Sequence, residues 1–218
     1  FIDPLMLGSV EILRGPASVF YGSGAGAGVL QFSPARPRGL EATLQWGSDG
    51  DENLQYLGFG DESASLALSR RSADDGDSAS GDRLHDRFDQ YNGQLLWSGE
   101  PGGIPLSFHQ LFSEGRDIGK SNNQYPDRIT DYPEERHWLG ELSAGFGERL
   151  EASVYYHYQS LDTRVESVGE RINDVSSESL DWGFRAAWRF DRLRAGLEYL
   201  GRRGVESEET ETSLATGQ

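Results

Sequence analysis

From Leu40 onward the chain alternates apolar and polar residues over stretches of eight or more positions, separated by polar, glycine-rich pieces. A period of two marks a strand with two unlike faces. The pattern predicts nine strands, at about 40–47, 53–60, 63–71, 88–98, 105–115, 135–146, 150–165, 180–190 and 193–203. In the eighth, Leu180, Trp182, Phe184, Ala186, Trp188 and Phe190 form one side, and Asp181, Gly183, Arg185, Ala187 and Arg189 form the other.

The connections alternate in length. Short ones follow the second, fourth, sixth and eighth strands: Asp61-Glu62, 99–104, 147–149 and Asp191-Arg192. Longer ones are expected at 72–87, 116–134 and 166–179, and the first, 48–52, is only modestly long. Short turns at one end and long loops at the other are the habit of outer-membrane barrels. A soluble sandwich has no reason to sort its loops this way. Trp182 and Phe190 lie eight residues apart, as do Trp138 and Phe146. At roughly 3.3 Å per residue and a tilt of about 40°, that interval is about 20 Å along a membrane normal. Aromatic residues at both edges of an apolar band suit the two membrane interfaces. The expected fold is therefore all-β: an antiparallel up-and-down transmembrane β-barrel.

A two-residue turn at Asp191-Arg192 would set the register of the last two strands. Phe190 then pairs with Leu193, Arg185 with Glu198 and Asp181 with Arg202. Opposite charges across a strand pair help to hold register. Arg189 falls opposite Arg194, which calls for an acid from the lumen or from an anionic lipid rim. His109, His137 and His157 all fall on the polar face, with His137 and His157 as diagonal neighbours.

The composition narrows the class. The chain has 218 residues, a net charge of −16 and no cysteine. An acidic surface argues against nucleic-acid binding, which needs basic patches. There is no run of 18 apolar residues that could span a membrane as a helix. Low hydropathy is compatible with a membrane barrel, because only alternate residues face lipid there. Much of the acid lies in stretches expected as loops, such as Asp49–Glu52, Asp74–Asp77 and Glu206–Glu211.

The first forty residues read differently. Val10 to Leu13 is extended, Gly15-Pro16 breaks it, and Ala17 to Tyr21 suits about one helical turn opened by Pro16. Gly22, Gly24, Gly26 and Gly28 then allow a swing back into a second strand. Gly22-x-Gly24-x-x-Ala27 fits a loose dinucleotide fingerprint, but Pro34 and Pro37 forbid the long helix it needs. The run Val10-Glu11-Ile12-Leu13-Arg14-Gly15-Pro16-Ala17-Ser18-Val19-Phe20-Tyr21-Gly22, continued by Gly28-Val29-Leu30, resembles the C-terminal end of the plug domain of TonB-dependent outer-membrane receptors. Ala27 stands where that family usually has a second glycine, and Gln31-Phe32 where it often has Asn-Ile.

The resemblance implies a plug end at residues 1–37 and the first part of a barrel at 38–218, in the outer membrane of a Gram-negative bacterium. It implies active uptake of a scarce nutrient: a ferric siderophore, another metal chelate or cobalamin. The implied partners are outer-membrane lipid and lipopolysaccharide, the metal-chelate substrate, and an inner-membrane energy-coupling complex engaged through a segment upstream of Phe1. It implies no cofactor and no enzyme activity. A passive porin, an outer-membrane enzyme and a soluble β-rich module are the competing readings. Serine–histidine pairs such as Ser107 with His109 are expected by chance among so many serines.

Glu11 and Arg14 are the candidates for plug–barrel contacts. Gly15, Pro16, Tyr21, Gly22 and Gly28 are candidates for shaping the plug, and Tyr125, Tyr132 and Trp138 for loop contacts with ligand. Nine up-and-down strands leave the first and last parallel, and bacterial barrels have even strand counts. Closure therefore calls for further strands, roughly a dozen by the family's pattern, and for an earlier part of the plug.

Overall fold

A computed structural model describes residues 2–15, 26–48, 50–121 and 128–214. They form two antiparallel sheets. In the first, β1 (Leu7–Arg14) pairs with β2 (Gly28–Pro34), and a short 3-10 turn, Pro4–Met6, precedes it. The second has nine strands in simple sequence order: β3 (Gly39–Trp46), β4 (Asn53–Gly60), β5 (Ala64–Ala73), β6 (Phe88–Gly99), β7 (Leu106–Lys120), β8 (Arg128–Phe146), β9 (Leu150–Ser167), β10 (Arg171–Arg189) and β11 (Arg194–Ser213). Each strand pairs with its neighbour in the chain, so the wall is an up-and-down antiparallel meander of the kind that forms part of a barrel.

The two faces of the wall invert the usual order of a soluble protein. On the face turned toward the β1–β2 hairpin, Ser65, Ser69, Asn92, Gln94, Ser113 and His137 are buried. On the other face Leu57, Phe59, Leu66, Leu68 and Leu95 are exposed. Every one of the five tryptophans, Trp46, Trp97, Trp138, Trp182 and Trp188, stands on that outer face. The pairing lines apolar residues up across strands, as in Ala64–Trp97–Phe108–Leu142–Val154–Phe184–Tyr199. Such an arrangement suits surroundings that are themselves apolar.

The register of β10 and β11 follows from the turn. The Phe190 N–H donates to the Leu193 carbonyl at 2.7 Å. Asp181 then faces Arg202 and Arg185 faces Glu198. Both ion pairs form, with Arg185 Nη2 at 2.9 Å from Glu198 and Arg202 Nη2 at 2.9 Å from Asp181. Arg189 lies opposite Arg194, and among the described residues neither has a carboxylate partner.

The long loops expected at 116–134, 166–179 and 206–211 are corrected by the structure. Strands β7 and β8 run on to Lys120 and back from Arg128, and β9 and β10 are joined by only three residues, 168–170. The acidic run Glu206–Glu211 lies inside β11. Beyond the apolar band both faces are polar, so the period-two signal fades while the backbone ladder continues. Its side chains still pair: Asn173 Nδ2 donates to Glu209 at 2.8 Å, and Arg171 lies 3.4 Å from Glu211. The connection between β5 and β6, residues 74–87, does remain long.

Candidate functional site

The hairpin meets the wall through the residues just before and after it. Asp3 is 1% exposed. Its Oδ1 accepts from the Leu5 N–H at 2.8 Å, capping the 3-10 turn that Pro4 opens. Its Oδ2 accepts from the Ser69 hydroxyl of β5 at 2.6 Å. Met6 is fully buried against Tyr56 and Ala67 of the wall. After the hairpin, Gln94 Nε2 donates to the Ala35 carbonyl at 2.7 Å, and Arg36 Nη1 to the Glu62 carbonyl at 2.9 Å. Gly58 leaves room for Pro37: a Cβ there would lie 2.9 Å from the proline Cβ.

Next to this contact is a cavity of about 440 Å³, with Met6, Phe32 and Pro34 on the hairpin side and His109, Leu111 and His157 on the wall side. From His157 an imidazole chain runs on along the same face of the wall. His137 Nε2 lies 2.8 Å from Glu135, and its Nδ1 lies 3.0 Å from His157 Nε2. A carboxylate accepts, so His137 donates to it from Nε2, and one of the two facing ring nitrogens of His137 and His157 donates to the other. The two rings stack with centroids 5.3 Å apart. Opposite His157 stands the Asp181–Arg202 pair. Among the described residues, no three histidines, aspartates or glutamates converge as a metal site.

A second polar cluster fastens the 74–87 connection at the far end of the sheet. Asp131 of β8 receives His85 Nε2 at 2.6 Å and Arg87 Nη2 at 3.1 Å. Asp75 accepts the Arg87 N–H at 3.0 Å and the Asp86 N–H at 3.2 Å. Burial pushes the Asp75 carboxyl up. The Arg87 N–H, the neighbouring His85 and Arg87 side chains and the Asp86 N–H outweigh that and hold it below the usual carboxylate range.

The predicted site residues scatter. Glu11 and Arg14 stand on β1, opposite Gln31 and Gly28, exposed and without an ion pair among the described residues. Gly28 is required where it is. Its φ is +156°, and a Cβ would sit 2.6 Å from the Leu13 carbonyl oxygen. Gly15, at φ +99°, ends β1. Pro16, Tyr21, Gly22 and Tyr125 lie outside the described residues. Tyr132 belongs to β8 rather than a loop, and Lys120 donates to its hydroxyl at 3.2 Å. Trp138 is corrected more fully. It lies in the middle of β8 on the outer face, edge-on to Phe112 at 5.5 Å, because the strand phase that makes Leu142 and Phe146 point outward carries it the same way. Asp3 was missed, although Asp-Pro ahead of an apolar pair is a legible capping signal.

Residues 1–29 match the family model TonB-dependent Receptor Plug Domain. That match covers the hairpin end of the chain, and the up-and-down wall that follows turns its polar face toward it. Among solved structures, 28 chains match. One is the Copper transporter OprC, which superposes with a TM-score of 0.66 and 18% identity over 98% of this chain. The chain spans 35% of that transporter's length, and the likeness is one of fold. No curated protein matches it.

Proposed function

We propose that this chain belongs to an active importer in the outer membrane of a Gram-negative bacterium. In this reading residues 1–37 are the end of the plug and 38–218 the first part of the barrel. The outer face lies in lipid, and the charged row at its edge, Arg70, Arg116 and Arg136 with their partners Asp89, Glu114 and Glu134, meets lipopolysaccharide. An inner-membrane energy-coupling complex moves the plug. The observation that carries the proposal is the pairing of a plug-family hairpin with a wall that buries serine and asparagine toward it and exposes leucine and tryptophan away from it. A simple pore would need no such seat.

The substrate class we put forward is a metal chelate, a ferric siderophore or a cobalamin. Fold likeness to a copper transporter adds copper to the panel. Glu11 and Arg14, exposed on the hairpin, are proposed to meet wall residues outside the nine strands. Tyr125 and Tyr132 are proposed to line the external approach. Uptake of labelled chelates and of copper by cells carrying the whole receptor, with and without a working coupling complex, tests the reading. Uptake of one substrate should fall to background when coupling is removed. Uptake that persists unchanged would make the protein a passive pore.

A further inference from the structure

Asp61 and Asp3 both cap a turn, yet only one of them is buried. Asp61 accepts the Ser63 and Ala64 N–H groups at 2.7 and 2.9 Å in open water. Asp3 caps its turn with one oxygen just as well, but it is 1% exposed. Local capping therefore does not explain its burial. Its second oxygen does, since it crosses to Ser69 on the wall. Among the described residues no lysine or arginine pairs with Asp3, so its desolvation is offset by two hydrogen-bond donors and by the seat that Met6 finds between Tyr56 and Ala67.

A carboxylate held by a hydroxyl differs from a buried ion pair in how it comes apart. Splitting a buried ion pair strands a charge on each side. When Asp3 leaves, its charge goes into water with the hairpin, and Ser69 keeps Asn92, whose Nδ2 lies 3.4 Å from its hydroxyl. The contact is firm when seated and inexpensive to release into a wet lumen. We propose that Asp3–Ser69 is the latch of the plug, the contact that holds residues 3–6 on the wall and that opens before the plug moves. This rests on reading residues 1–37 as plug. Asp3 is a positioning residue and touches no substrate.

The test uses the whole receptor in outer membranes, with Ala67→Cys as a reporter thiol. Ala67 is 2% exposed beneath Met6, so a water-soluble maleimide should label it slowly. Asp3→Ala and Ser69→Ala should each speed labelling by about tenfold or more, and Ser69→Ala should add little on top of Asp3→Ala, because the bond between the two side chains is already gone. Asp3→Asn, which can still cap through Oδ1 and can donate from Nδ2 to the Ser69 hydroxyl oxygen, should restore most of the protection. Ser69→Ala is the safeguard against misfolding, since it trims one atom from a wall strand, and heat-modifiable gel mobility confirms assembly. Parent-like labelling in Ser69→Ala would reduce Asp3 to a local cap and overturn the proposal. So would additive effects of the two changes. The assay needs neither substrate nor energy source, so its outcome is separate from that of uptake.

Discussion

An arginine in place of Phe184 tests the outer face directly. Phe184 sits midway along the outward row Leu180–Trp182–Phe184–Ala186–Trp188 of β10, between Val154 and Tyr199. Eight steps from Leu180 to Trp188, at roughly 3.3 Å each and a tilt of about 40°, make a band about 20 Å tall, so Phe184 is about 10 Å from either edge. A guanidinium at the middle of a bilayer costs a barrel about 2–4 kcal/mol, and near an interface about 0–1. Phe190, just beyond the end of β10, is the interface control. Phe184→Arg should therefore shift the folding equilibrium by about 5-fold to 1,000-fold relative to Phe190→Arg. The chain itself keeps an arginine next door, Arg185, because that side chain faces the other way and meets Glu198. The whole receptor would be folded into lipid vesicles across a urea series and the folded fraction read by heat-modifiable gel mobility. Phe184→Ala would subtract the lost packing. Equal costs at 184 and 190 would show that this face does not lie in lipid.

Brominated lipids should quench most of the tryptophan fluorescence, because all five indoles stand on the outer face; quenching of only a minority would contradict that placement. A double-mutant cycle on Arg185 and Glu198 should give a coupling of about 0.2–1 kcal/mol, as expected for a partly exposed cross-strand pair. For the 74–87 connection, the Asp75 carboxyl is held below its ordinary range, so its contribution is present above that range and lost as pH falls through the depressed value. Protease cleavage within 74–87 should accelerate as pH drops below about 4, and Asp75→Asn should remove that part of the dependence even with His85, Arg87 and Asp131 in place. Gly58→Val should displace Pro37 and loosen the link between hairpin and wall, seen as faster cleavage after Arg38 by trypsin.

The nine wall strands were legible wherever one face is apolar and the other polar, since that contrast produces a period of two. The two-residue turn at Asp191-Arg192 was enough to derive the Arg185–Glu198 and Asp181–Arg202 pairs, because a tight turn leaves one register. The diagonal placing of His137 and His157 followed from the same counting, but not the contact between their rings. Strand ends past the apolar band were not legible. Along 171–178 and 204–213 both faces are polar, and only the neighbouring strand, which satisfies each backbone group, keeps the chain extended. The seat of the hairpin was hidden for a related reason. Hydropathy marks Asp3 and Ser69 as solvent-facing residues, 66 positions apart in the chain, and nothing local links them. Their burial is a property of two sheets brought face to face, which exists only once the chain has folded.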